Sequence, residues 1–115
     1  MAVRVFSDDP RGLLRRIKEA VRDGSIDTWT IDSDGDLTHS PEQWKNRAWF
    51  RPKPFDDKLV FYILGSTRKR MSRVVYGVYH GRLIEMLLTH FDLQFDRATA
   101  TALPIDGDKV GPSNT

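Results

Sequence analysis

The sequence predicts an α+β fold: a mostly antiparallel sheet with two helices packed on one face, a two-layer sandwich with the element order β-α-β-β-β-β-β-α-β. The first observation is a run of six apolar or aromatic residues within 58–64, closed by turn residues, which is typical of a strand buried on both faces. The second is the helical spacing of apolar residues over 10–23 and 81–91. The third is that the other β-rich segments are short and that most of them follow one another between those two helices.

The chain length sets the expected domain organisation. At 115 residues the chain is long enough for one domain with its own core. We expect a single globular domain over 1–104. Residues 105–115 are rich in Gly, Pro and Asp and have no apolar period, so we expect a flexible C-terminal tail there.

Composition excludes several classes of protein. The chain has no cysteine, which excludes a disulfide framework, a thiolate nucleophile and the common cysteine zinc sites. No apolar leader and no stretch of about 18 apolar residues occur, so we expect a cytoplasmic protein without a membrane partner. Eighteen Lys and Arg against sixteen Asp and Glu leave a net charge of only +2, so any electrostatic argument depends on how the charges are distributed. We predict no cofactor and no metal site.

The first elements are a strand over 2–6 and a helix over 10–23. Pro10 follows a capping residue and suits the first helical position, and Gly24 supplies a stop. One face of the predicted helix is apolar and is expected to pack on the sheet. Its residues are Leu13, Leu14, Ile17, Ala20 and Val21.

A hairpin is predicted next. Residues 28–31 alternate as a half-buried strand does, and Asp34-Gly35 is a turn signal that leads into a strand over 37–39. Ser40 is a suitable N-cap, so a short helical turn is expected over 40–44.

Another strand begins at 48–50, and Pro52 and Pro54 are expected to end it or to confine it to an edge of the sheet. This strand leads into the apolar run within 58–64, which we call the central run.

The C-terminal half continues the pattern. Residues 74–79 are β-rich and are predicted to be the antiparallel partner of 58–64. Helical spacing then predicts the second helix over 81–91, and the last strand is placed over 95–103.

Basic residues follow one another along the first predicted helix. Arg11, Arg15, Lys18 and Arg22 are four, three and four residues apart, so on a helix they form a single line that could track phosphates. The alternative is a solvated outer face, because amphipathic helices carry charge opposite their core side.

A second basic cluster follows the central run. Arg68, Lys69, Arg70 and Arg73 lie in what is predicted as a turn between two core strands, where long basic side chains could follow a nucleic-acid backbone. A charged turn that serves only solubility is the alternative.

His80 and Arg82 are candidates for a further anion contact. They lie at the predicted passage from a strand into the second helix, where free backbone amides, Gly81 and an Arg favour an anion. The alternative is a simple helix-starting turn with a partly exposed His. A small hydrolase that uses His80, with Arg82 holding an anion, is a third class of function.

Three carboxylates alternate over 32–36 in a pattern similar to a calcium loop. Leu37 stands where such a loop needs Gly, and Gln43 stands where it needs a bidentate Glu. The segment is therefore interpreted as a hairpin turn, with a loose, weak contact to a divalent ion as the alternative.

These observations favour a non-enzymatic binding module for an anionic partner, with nucleic acid as the simplest candidate. The alternative is a protein-interaction domain, antitoxin-like or immunity-like, that uses Trp44, Trp49 and Phe50 as aromatic anchors. If the two basic clusters share one face, the first hypothesis gains; if the tryptophans form an exposed patch, the second gains.

Overall fold

Six strands and two helices make up the structure, a computed structural model that describes residues 2–111. In chain order they are β1 (Ala2–Phe6), α1 (Pro10–Arg22), β2 (Trp29–Ile31), β3 (Leu37–His39), β4 (Trp49–Pro54), β5 (Lys58–Leu64), α2 (Arg73–His90) and β6 (Arg97–Ala100). The strands form one antiparallel sheet in the order β2-β3-β4-β5-β1-β6. The predicted α+β class is confirmed.

Both helices cover the same face of the sheet. Leu13 and Ile17 of α1 and Leu83 and Leu87 of α2 are fully buried, in one cluster with Phe61 of β5. A single cluster that joins both helices to the middle of the sheet makes the fold a two-layer sandwich, as predicted. Neither helix of the described residues is long and apolar enough to cross a membrane.

β5 lies inside the sheet, between β4 and β1. Leu59, Phe61 and Ile63 belong to the core cluster, and alternation places Val60 and Tyr62 on the opposite face. Val60 is only 2% exposed, whereas Tyr62 is half-buried. The central run is therefore a strand, as predicted, but only part of its second face is buried.

Residues 74–79, predicted as a strand, are the first half of α2, and that prediction is wrong. Ser72 caps the helix, since its Oγ accepts a hydrogen bond from the Val75 N–H at 3.1 Å. Val75, Tyr79 and Leu83 recur every four residues and are all buried, so helical packing overrides the strand propensity of Val and Tyr. Four strands, rather than the predicted five, lie between the helices.

The prolines do not end β4, although the sequence predicts that they would end the strand or confine it to an edge. The Phe55 N–H donates to the Lys58 carbonyl at 2.8 Å, so by alternation the ring nitrogens of Pro52 and Pro54 point away from β5. On that other side β3 pairs with β4 only at Phe50. Both prolines therefore lie on the side of β4 where no neighbouring strand needs a backbone N–H from them, so they break no hydrogen bond of the sheet.

The segment 105–111 is hydrogen-bonded to β5. The pairing of β1 with β5 ends at Tyr62, so β1 offers no hydrogen-bond partner to the backbone groups of β5 that follow Tyr62. The Lys109 N–H donates to the Ile63 carbonyl at 2.9 Å, and the Lys109 carbonyl accepts from the Gly65 N–H at 2.6 Å. Residues 105–111 of the predicted flexible tail are therefore hydrogen-bonded to the rest of the domain, and the last four residues of that tail lie outside the described residues.

Candidate functional site

Positive charge is concentrated in a groove at the start of α2. The groove has a volume of about 420 Å³ and is lined by residues from 45–47, before β4, and from 66–72, between β5 and α2, together with Val75. Of the described residues that line it, none is acidic. Four lining residues are cations: Lys45, Arg47, Lys69 and Arg70. We call this site the basic groove.

The start of α2 adds to the positive potential of the basic groove. Ser72, which lines the groove, is the N-cap of α2, and the first turn of the helix contains no acidic residue. The N-terminus of a helix carries a partial positive charge because its first N–H groups have no intrahelical partner. An anion in the groove would therefore meet both side-chain cations and the helix dipole.

The other wall of the groove is the turn between β3 and β4. Asn46 adopts a left-handed φ of +59°, which Asn tolerates better than most residues, and its neighbours Lys45 and Arg47 both line the groove. The Trp44 carbonyl accepts a hydrogen bond from the Tyr79 hydroxyl at 2.5 Å. This bond ties the turn to α2 and so holds the two walls together.

Within the described part of the chain, three of the four groove cations have no carboxylate partner. Among residues 2–111, Arg47, Lys69 and Arg70 form no salt bridge. Lys45 lies 3.4 Å from Glu42, but both side chains are mostly exposed, and such pairs contribute about 0–1 kcal/mol. The charge of the groove is therefore not neutralised from within.

The predicted second cluster is divided between the groove and its surroundings. Lys69 and Arg70 line the groove, whereas Arg68 and Arg73 are exposed nearby without lining it. Arg68, Lys69 and Arg70 lie in the connection from β5 to α2, and Arg73 is the first residue of α2. The cluster therefore does not lie, as predicted, in a turn between two core strands. This change matters because it brings the helix N-terminus to the cations.

Two of the groove cations were not predicted from the sequence. Lys45 and Arg47 come from a turn that is distant in sequence from the 68–73 cluster, and only folding brings the two segments together. The one local signal is the pair of basic residues on either side of Asn46 in a turn.

The cations predicted along α1 lie in a different place. Arg11, Arg15, Lys18 and Arg22 line a shallow depression of about 290 Å³, together with Leu14 and Glu19. This depression shares no residue with the basic groove. The two basic clusters are therefore two separate sites, and the α1 site contains an acidic residue.

His80 and Arg82 do not form the predicted anion site. His80 lies within α2 and is 3% exposed, with its ring centroid 5.1 Å from Phe50 and 4.6 Å from Tyr76. Arg82 is exposed and pairs with Glu85 at 3.2 Å. The prediction is wrong because α2 begins at Arg73, so the amides around His80 belong to the helix interior. A buried His80 is also not presented to a dissolved substrate.

The three aromatic residues of the alternative hypothesis do not form one exposed patch. Phe50 is 0% exposed and belongs to the core. Trp49, the preceding residue of β4, is half-buried on the opposite side of the sheet, and Trp44 is partly buried against the core cluster. They cannot act together as exposed anchors.

The carboxylates of the β2–β3 turn lie close together, and those of Asp32 and Asp36 accept hydrogen bonds that shape the turn. One oxygen from each of Asp32, Asp34 and Asp36 lies within 4.8 Å of the others. Asp32 Oδ1 accepts the Asp34 and Asp36 N–H groups, and Asp36 accepts two hydrogen bonds from Arg51 at 2.8 and 3.0 Å. With Gly35 at a φ of +84°, the segment is the hairpin turn that the sequence predicts.

The sheet face away from the helices also carries cations, and two of its rings lie against them. The Arg97 guanidinium lies 4.1 Å from the centroid of the Phe6 ring. Lys53 and Lys58 each place their ammonium group 5.4 Å from the centroid of Phe55. These two rings are therefore not free platforms on which bases could stack.

Another depression is mainly acidic, with four carboxylates against one cation, Arg16. It has a volume of about 690 Å³ and lies between the β1–α1 and α2–β6 connections, with Leu93 at its rim. Its acidic residues are Asp8, Asp9, Asp57 and Asp96. A polyanion would be repelled there, so this depression and the basic groove cannot take the same ligand.

The geometry thus supports one anion site best. The basic groove unites cations from two segments of the chain with a capped helix N-terminus. Comparison of the chain with protein-family models, with curated proteins and with solved structures finds no match.

Proposed function

We propose that this protein is a non-enzymatic binding module for nucleic acid and that the basic groove holds the phosphate backbone. The observation that carries the proposal is the convergence of four cations on a groove that none of the described acidic residues lines. Contacts between cations and phosphates supply most of the affinity of non-specific nucleic-acid binding. They read no base edges, so we expect little sequence preference.

The α1 site is a second, weaker contact in this proposal. It presents Arg11, Arg15, Lys18 and Arg22 along one helix face, but Glu19 lies among them. The net charge of the whole chain is only +2, so the attraction has to be local. Binding is therefore weak and strongly dependent on salt.

The test is a titration of labelled single-stranded and duplex oligonucleotides with the protein, followed by fluorescence anisotropy at about 50 mM salt. We expect a Kd of roughly 1–100 µM, with log affinity falling linearly as log salt rises. Absence of binding to both oligonucleotides would remove the nucleic-acid proposal and leave a protein partner as the remaining hypothesis.

Two double variants with equal charge change locate the contact. Lys69→Glu with Arg70→Glu alters the basic groove, and Arg15→Glu with Lys18→Glu alters the α1 site by the same total charge. We expect the groove variant to bind about tenfold more weakly or worse. On single strands, the slope of log affinity against log salt should also decrease in magnitude by about 1.4, the value for two lost phosphate contacts. Equal losses in both variants would mean that net charge alone drives binding and that the groove is not the site.

A further inference from the structure

The C-terminal segment holds the loop that carries two of the groove cations. The Met71 N–H donates to the Val110 carbonyl at 2.7 Å, and the Gly65 N–H donates to the Lys109 carbonyl at 2.6 Å. Within residues 2–111, these are the backbone hydrogen bonds that join the 65–71 loop to a distant part of the chain. Both ends of the loop are thus tied to one short segment.

Gly111 brings that segment against the backbone of the cations themselves. A Cβ atom at this position would lie 2.5 Å from the Arg70 Cα and 2.9 Å from the Lys69 carbonyl oxygen. Gly111 also has a φ of +136°, which residues with a side chain rarely adopt. The close approach of the two backbones therefore requires glycine here.

We propose that Gly111 is a positioning residue for the basic groove. Gly111 packs on the backbone of Lys69 and Arg70 and so fixes the positions of their Cα atoms. The loop that carries these two residues is otherwise exposed. Pre-organised cations lose less conformational entropy when an anion binds, so affinity rises. This inference rests on the proposed function for the identity of the ligand, whereas the contact between segment and loop belongs to the free protein.

A coupling between ligand and segment follows. If docking of the segment favours anion binding, then anion binding must favour docking by the same factor. Saturation with an oligonucleotide is therefore expected to slow hydrogen exchange at the Met71 and Gly65 amides, although these amides donate to the segment and not to the ligand.

The first arm of the test uses the protein without ligand. Amide hydrogen exchange is measured by NMR in the wild type, in Gly111→Ala and in the matched control Gly107→Ala. Gly107 also has a positive φ, +101°, and a Cβ there would lie 2.6 Å from the Tyr62 ring. The three atoms nearest to that Cβ all belong to Tyr62, and none belongs to the 65–71 loop. We expect exchange at Met71 to rise about tenfold or more in Gly111→Ala and to stay near the wild-type rate in the control.

The second arm uses the labelled single strand of the proposed-function experiment. We expect Gly111→Ala to bind about fivefold more weakly, with a salt slope lower by as much as about 1.4, as Lys69 and Arg70 lose their contacts. Gly107→Ala is expected to keep the wild-type slope. General loss of stability would not change the slope, since the folded fraction would make the same contacts.

The outcomes separate the two proposals. An unprotected Met71 amide in the wild type, or equal effects of the two glycine variants, would overturn the role of Gly111. So would wild-type affinity and slope in Gly111→Ala. If the wild type binds no oligonucleotide, the proposed function fails, and the exchange data alone decide whether Gly111 holds the loop.

Discussion

At the scale of single residues, His39 is a titratable side chain that the fold buries. It is 4% exposed, and its ring centroid lies 4.9 Å from Trp29 and 6.1 Å from Tyr79. Its Nδ1 has no hydrogen-bond partner within the described residues. Burial lowers the pKa of His39 below its ordinary 6.5, with a hydrogen bond to the Thr28 backbone opposing the shift.

This lowered pKa predicts the pH dependence of stability. The unfolded chain binds a proton at His39 more readily than the folded protein does, so the contribution of His39 is complete above about pH 6.5 and is lost as the pH falls toward the folded pKa. We expect urea unfolding to show falling stability between pH 7.5 and pH 5. The fall in stability should be smaller in His39→Gln than in the wild type. It should equal that of the wild type in the control His90→Gln, because His90 is exposed. The same pH dependence in His39→Gln and wild type would contradict the assignment.

The two faces of β5 predict different outcomes for the same substitution. Ile63 is 0% exposed among apolar side chains, so Ile63→Asp would bury an unpaired charge and cost roughly 4 kcal/mol or more. Val60 is equally buried but pairs directly with Arg4 and Lys53 on the neighbouring strands. Opposite charges across strands attract, so Val60→Asp should cost clearly less. Denaturant melts of both variants test this, and equal destabilisation would contradict it.

At the scale of elements, the helices differ in how locally they are specified. α1 begins with Asp9, whose Oδ1 accepts the Gly12 N–H at 3.1 Å, and Gly24 follows its end with a φ of +87°. These signals lie within the segment, so the predicted helix and the observed one differ only at the last residue. α2 has a local start signal in Ser72, but its first half consists of residues that also suit a strand.

Glycines on the outer side of α2 provide a test of the helix. Gly77 and Gly81 are exposed, and a Cβ at either position would meet no atom within 4 Å. Alanine at either site should therefore stabilise the domain by about 0.5–1 kcal/mol, because alanine favours the helix and restricts the unfolded chain.

Thermal or urea unfolding measures the effect. Gly24→Ala is the matched control, since a Cβ there also meets nothing but Gly24 has a φ of +87°, and it should lower stability. A loss of stability at both Gly77 and Gly81 would contradict an open helical face at these positions.

At the scale of the whole molecule, the C-terminal segment completes the sheet and shapes the groove. Asp108 Oδ1 accepts the Ile63 N–H at 3.0 Å, and Val110 packs against the core cluster. The segment thus joins β5, the core and the β5–α2 loop.

Truncation after Pro104 should therefore lower the melting temperature by about 5 °C or more, since backbone groups of Ile63, Gly65 and Met71 lose their partners and each such loss costs about 1 kcal/mol or more. Truncation after Gly111 retains every hydrogen bond named here and is the matched control. A melting temperature unchanged by the longer truncation would show that the segment does not contribute to stability.

The sequence by itself determined the α+β class, the ranges of β1, β3 and β5, and the place of α1, because alternation, helical spacing and capping residues act between near neighbours. It also located Lys69 and Arg70 in a basic connection.

Only the tertiary structure decided the rest. Whether the segment 74–79 forms a helix or a strand depends on which of its side chains are buried in the core. Val75 and Tyr79, which are four residues apart as on one face of a helix, are the buried ones. Whether the segment 105–111 docks depends on backbone groups that β5 leaves open. The basic groove likewise exists only after folding, because its two walls are distant in sequence, and the energy that joins them comes from contacts that no local pattern encodes.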